Sequence, residues 1–213
     1  MPVPNDDSQT IYVSISSLLG YLTAIGYPDR LEDWQSSWPA DIQVAGRDSI
    51  RFHGIIWLSI LLALDLPLPN QIVFRGSITS GGIKMAESSG NAVSPKDLIE
   101  TYGTDAFRYY MARHIDTSLD GDVTLERFET VYNTELANEL GNLVHRVASM
   151  VVQFQSGVLG EIKIGEHDTQ LYRNAMKKYD FNEALERVWM KIRSANYYLD
   201  TVKPWEIAER KGV

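Results

Sequence analysis

The chain changes its hydrophobic rhythm near the middle. Over Gln9-Thr10-Ile11-Tyr12-Val13-Ser14-Ile15-Ser16 apolar and polar residues alternate and several are β-branched, a period of two that predicts a strand. Ser17 to Ile25 predicts a short helix, stopped by Gly26 and Pro28. Leu31 to Pro39 reads as a connector carrying Trp34 and Trp38. A second strand is expected over Asp41 to Gly46 and a third over Gln71 to Gly76. Between them Asp48 or Ser49 can cap a helix running to about Leu64. Strands alternating with helices imply parallel pairing, and three parallel strands make a thin sheet with an exposed edge.

Beyond residue 93 the period is helical. Ser94-Pro95-Lys96-Asp97 is a start signal, with proline at the first helical position. Asp97–Tyr102 and Thr104–Arg113 read as two helices broken at Gly103, and Ile115 to Asp122 as a turn-rich link. Thr124 to about Gln155 reads as one long helix, apolar at Phe128, Val131, Leu136, Leu140, Leu143 and Val147. Another helix is expected from about Asp180 to Val202, and Pro204 can start a last one at Trp205. The class is therefore α/β followed by all-α. The first strand comes at once and the last helix has little room, so the chain reads as a middle section of something longer.

Composition narrows the chemistry. Of 213 residues 44% are hydrophobic, enough for a packed core and too many for disorder. Cysteine is absent, which excludes disulfides, thiolate zinc sites and a thiol nucleophile; no metal site is expected of the chain. The longest apolar run, near Ile55 to Leu64, is too short to span a bilayer, and the polar, acidic first residues are not a signal peptide, so a cytoplasmic protein is expected. The net charge of −8 is uneven: residues 1–145 hold 9 basic and 19 acidic groups, residues 146–213 hold 11 and 9. An acidic body repels nucleic acid, so any such contact must be local and belongs in the C-terminal third.

One stretch organises the rest: Gly81-Gly82-Ile83-Lys84-Met85-Ala86-Glu87-Ser88-Ser89-Gly90-Asn91. A glycine pair allows a tight turn, and Lys84 is a flexible point charge of the kind that reaches phosphates. Spacing alone reads as a polar surface loop. The wording, however, resembles the KMSKS loop of class I aminoacyl-tRNA synthetases, nearest to that of the methionyl-tRNA synthetases: Lys84, Met85, Ser88, Gly90, Asn91, Val93 and Pro95 fit, whereas Ala86 and Glu87 depart. Trp38-Pro39-Ala40-Asp41, Gly46-Arg47-Asp48, Arg51-Phe52-His53, Leu136 to Leu143 and Lys203-Pro204-Trp205 resemble further pieces of that family in the same order.

The resemblance implies half of a Rossmann-type parallel sheet with the KMSKS-like loop (81–91) within residues 1–114. Residues 115–213 would be a stem-contact linker and a partial anticodon-binding helical domain. It implies ATP with Mg2+ as the cofactor of the parent family, tRNA as its partner, and a missing N-terminal half. ATP would be bound by Gly46, Asp48, Lys84, Met85 and Ser88, with Lys84 catalytic as pyrophosphate leaves. Asp48 would accept from ribose hydroxyls. Methionine would be held by Tyr21, Ile50 and His53. The tRNA would meet Asn142 and Arg146, four residues apart on one helical face, and Trp205. Without the resemblance these same residues read as a helix cap, a packed histidine, a polar stripe and a core anchor.

The departures matter as much. None of the four histidines forms an H-I-G-H type text, Ser14 and Ser16 stand where the family has a tryptophan and an acid, and the loop reads Lys-Met-Ala-Glu-Ser. The expected function is a fragment or degenerate relative of a methionine–tRNA ligase, inactive in ligation by itself. Two alternatives remain open: a non-catalytic tRNA-binding module, and a natural or engineered folding unit without a ligand.

Overall fold

The computed structural model describes residues 2–10, 12–85, 93–160 and 169–211. They form two compact units, residues 1–77 and 78–213. This cut follows compactness, and it differs from the division at 114/115 that the family resemblance implies.

In the first unit, β1 (Pro2–Val3) and β2 (Asp6–Thr10) pair antiparallel. Residues Tyr12 to Ser16, expected to extend a strand, instead open α1 (Val13–Ala24). The physical reason lies in the serines: the Ser16 and Ser17 hydroxyls donate to the Val13 carbonyl at 2.9 and 2.8 Å. Those bonds give both hydroxyls an acceptor on the helix itself, so serine is accommodated in its first turns. Leu18 and Leu22, four residues apart, give α1 a buried face. Gly26, at φ +109, ends this segment in a conformation that favours glycine. The expected connector is also helical, α2 (Leu31–Ser37): Trp34 and Trp38 lie one turn apart and are both buried, a helical spacing.

β3 (Gln43–Gly46) and β4 (Ile72–Arg75) pair parallel in register, Gln43 opposite Ile72 and Gly46 opposite Arg75. Between them the chain runs through a 3-10 turn, a π-helical segment (Phe52–Ile56) and α3 (Trp57–Ala63). Among the described residues the sheet of the first unit that pairs in parallel therefore has two strands, not the three expected. The core is Leu18, Leu22, Trp34, Trp38, Trp57 and Leu61. Its centre is Trp57, wholly inaccessible, whose Nε1 donates to Gln43 Oε1 at 2.8 Å.

The second unit opens with a hairpin that sequence did not anticipate. β5 (Ile78–Ser80) and β6 (Ile83–Lys84) pair antiparallel across Gly81-Gly82, so Lys84 lies on a strand and not in a loop. β7 (Gly121–Asp122) adds to β5 in parallel. α4 (Pro95–Tyr102) is capped by Ser94, whose hydroxyl accepts from the Asp97 amide, and Gly103 at φ +89 separates it from α5 (Thr104–His114). The expected long helix is present as α6 (Leu125–Val131), a π-helical stretch (Tyr132–Gly141) and α7 (Asn142–Gln155). It is capped by Thr124. α8 (Gln170–Lys177), not anticipated, precedes α9 (Phe181–Val202) and α10 (Pro204–Lys211). Leu98, Ala106, Tyr110, Ile115, Val123, Phe128 and Val131 form the core. No described helix is long and apolar enough to cross a membrane.

Candidate functional site

The sequence-predicted residues fall into four groups, two in the first unit and two in the second. In the first unit Gly46 ends β3 and Asp48 follows two residues later. A side chain at position 46 would place its Cβ 2.7 Å from Asp48 Oδ1, so glycine leaves the carboxylate its room. Ser49 secures the turn by donating to the Gly46 carbonyl at 2.7 Å.

Beside that turn, Tyr21 from α1 and His53 from the π-helical segment meet. The Tyr21 hydroxyl is 3.0 Å from His53 Nε2, and His53 Nδ1 is 3.4 Å from the Ser49 carbonyl. A carbonyl only accepts, so in the neutral ring Nδ1 carries the hydrogen and Nε2 accepts from Tyr21. The tyrosine ring also stands 5.6 Å from Trp57 and 5.8 Å from the imidazole. A hollow of about 270 Å³ opens alongside, walled by Tyr21, Trp38, Ile42 and Gln43. Gln43 is 7% exposed and its Nε2 has no hydrogen-bond partner. Ile50 is 43% exposed, and its Cγ2 would stand 3.9 Å from a Cβ on Gly54. Trp57 and Gln43 escaped the sequence reading. Their signal was Trp57 four residues after His53, one turn on along the same helix.

In the second unit Lys84 ends β6 as an exposed residue, with Met85 after it; the Met85 amide donates to Ile78 O at 3.0 Å. Ser88 lies outside the described residues. Asp122, which sequence did not single out, accepts at Oδ1 from the Thr79 hydroxyl (2.7 Å) and the Gly82 amide (2.9 Å). Those donors, the Gly82 amide first, hold its carboxyl below the usual carboxylate range.

Asn142, Arg146 and Trp205 are gathered where α7 passes α9 and α10. Asn142 and Arg146 line one polar hollow of about 470 Å³, with Arg193, Asn196, Tyr197 and Asp200 of α9 opposite. The Arg146 guanidinium lies over the Trp205 ring at 5.3 Å and donates to Asp200 Oδ1 at 2.7 Å. A cation over an aromatic face that is also held by a carboxylate has little freedom left. Asn196 Nδ2 donates to the Glu139 carbonyl at 3.0 Å, joining α9 to the π-helical stretch. Arg193 bonds Glu186, which also holds Arg113 of α5. The Arg113 hydrogen bond is the first cause that keeps the Glu186 carboxyl below its ordinary value. Among the described residues no cluster of three His, Asp or Glu is arranged to hold a metal.

These gatherings can be set against known proteins. The family model described as tRNA synthetases class I (M) matches residues 1–148, well over half the chain. The chain belongs to that family. Methionine–tRNA ligase of Bacillus subtilis is 38% identical over 97% of this chain and 33% of its own length. The ligase of Clostridium acetobutylicum is 40% identical over 98% of this chain and 34% of its own. The structure of Mycobacterium tuberculosis methionyl-tRNA synthetase in complex with methionyl-adenylate superposes with a TM-score of 0.82 at 34% identity. That match covers 97% of this chain and 43% of the other. This class I (M) chain thus spans about a third of the length of the ligases it matches.

Proposed function

We propose that the chain is the part of a methionine–tRNA ligase that carries the C-terminal half of the catalytic fold (1–114) and the beginning of the anticodon-binding helices (115–213). Asn142, Arg146 and Trp205 contact tRNA; Tyr21, Ile50 and His53 belong to the methionine side. Gly46 and Asp48 take the adenosine of ATP, and Lys84, Met85 and Ser88 its phosphates. The parent reaction joins methionine to ATP with loss of pyrophosphate and then esterifies tRNA, with Mg2+ assisting. This chain's residues contribute by placing and charge compensation, with no covalent nucleophile. The room that Gly46 leaves for Asp48 fits a ribose acceptor, and an exposed lysine at a hairpin end fits a phosphate.

The observation that carries the reading is the meeting of Arg146 and Trp205, 59 positions apart, over a hollow lined by Asn142. An aromatic ring beside an oriented guanidinium and amides suits an unpaired nucleotide. By themselves the 213 residues bind tRNA without ligating it, because they lack the H-I-G-H type text and carry Glu87 in the loop. Methionine-dependent exchange of pyrophosphate into ATP is expected at background for the purified chain, with saturable binding of methionine tRNA at low salt. Exchange clearly above background would refute the inactivity, and absence of saturable binding would refute the tRNA contact.

A further inference from the structure

We propose that Asp122 is a positioning residue for Lys84, tying the two-glycine turn that delivers the lysine to the rigid strand β7. The inference rests on reading Lys84 as the phosphate-facing cation. In the three-stranded sheet Lys84 is the Cα partner of Thr79, and Thr79 is the partner of Asp122, so the three form one row across β6, β5 and β7. Partners in a row present their side chains on the same face of a sheet.

The row has a soft end and a hard end. At the soft end Gly81 and Gly82 have φ of +61 and +77, and a Cβ on either would meet nothing within 4 Å. Glycine is required there by conformation and not by space, and two in succession leave the turn with the greatest backbone freedom to lose. At the hard end Val123 is in the core, its amide donates to Thr79 O at 2.8 Å, and a Cβ on Gly121 would stand 2.5 Å from Ile115 Cγ2. β7 cannot shift without disturbing that core. Asp122 joins the ends: one carboxylate oxygen takes both the Thr79 hydroxyl and the Gly82 amide. Hydrogen bonds to an ionised acceptor are the stronger kind. Arg127 is a cation that also acts on this carboxylate.

The test uses the full chain with its amide resonances assigned, together with Asp122→Ala and Asp122→Asn. Asparagine keeps an acceptor oxygen in place and alanine does not. In Asp122→Ala the Gly82 amide is expected to exchange with solvent about tenfold faster or more, and the order parameters of Gly81 to Lys84 to drop toward the flexible range, about 0.6. Asp122→Asn should keep most of both. Unchanged exchange and order in Asp122→Ala, or equal behaviour of the two variants, overturns the proposal. If Asp122→Ala fails to fold, the wild-type chain decides: the Gly82 amide shift should titrate in acid with the carboxylate, and a flat profile overturns the proposal. A separate readout is labelling of Lys84 by pyridoxal 5′-phosphate, trapped by borohydride, with and without inorganic triphosphate. Protection by triphosphate should be present in wild type and reduced severalfold in Asp122→Ala. Absence of protection in wild type counts against the phosphate reading of Lys84 alone, since the amide data judge the anchor independently.

Discussion

Replacing Trp205 by alanine separates stacking from charge at the α7–α9–α10 meeting point. The indole has Arg146 over one face at 5.3 Å, and Arg146 has a second hold, Asp200 Oδ1 at 2.7 Å. Removing the ring therefore deletes a platform for a base while leaving the guanidinium anchored by its carboxylate. Base–aromatic stacking is worth about 1–3 kcal/mol per base by alanine substitution. Loss of the cation–π contact adds about 0.5–1 kcal/mol of lost preorganisation at a half-buried ring. Together these come to about 1.5–4 kcal/mol, and since about 1.4 kcal/mol is a factor of ten, Trp205→Ala should weaken binding of a labelled anticodon stem-loop by about 10- to 700-fold. No phosphate contact is removed, so the slope of log affinity against log salt should stay the same. Anisotropy titrations at several salt concentrations read both quantities. An affinity within twofold of wild type would refute the stacking role. A fall in affinity accompanied by a shallower salt slope would show that the ring had been supporting a phosphate contact instead.

Two further outcomes follow from packing and charge. Phe128, 1% exposed and in ring contact with both Tyr102 and Tyr110, should cost about 3–5 kcal/mol on truncation to alanine, read as a lowered urea midpoint; a loss under 1 kcal/mol would mean that the site collapses around the missing ring. The folded carboxyl of Glu186 lies below its ordinary value of 4.5, so its contribution is complete above that pH and is lost as pH falls through the folded value. Glu186→Gln should therefore be less stable than wild type near neutrality and lose less on acidification, and parallel stability–pH profiles would refute the assignment.

Much of this architecture was legible in the residues. The parallel strands, the breaks at Gly26 and Gly103, the helix start at Ser94-Pro95 and the long C-terminal helices follow from local rules that each stretch carries by itself. What was misread is equally local in its cause. Val13 to Ser16 has strand composition, but hydroxyls that bond back to Val13 O make a helix start available. Trp34 and Trp38 have helical spacing in a segment too short to show a period. At the sites, the resemblance grouped Tyr21 with His53 and Arg146 with Trp205 without giving their contacts, whereas Trp57 against Tyr21, and Asp122 against Gly82, join residues up to 40 positions apart that no local period connects.

The π-helical stretch Tyr132–Gly141 sits between the part of the long helix that buries Phe128 and Val131 and the part that carries Asn142 and Arg146. Each residue of a regular helix advances the chain by about 100°, so widening the turns changes the angle at which everything downstream is presented. The stretch thus acts as a phase adjuster on a single rod. The heading of Asn142 and Arg146 is set by how the hydrogen bonds are counted in the ten residues before them, and it can be retuned there without touching either the packed end or the end that carries those two side chains.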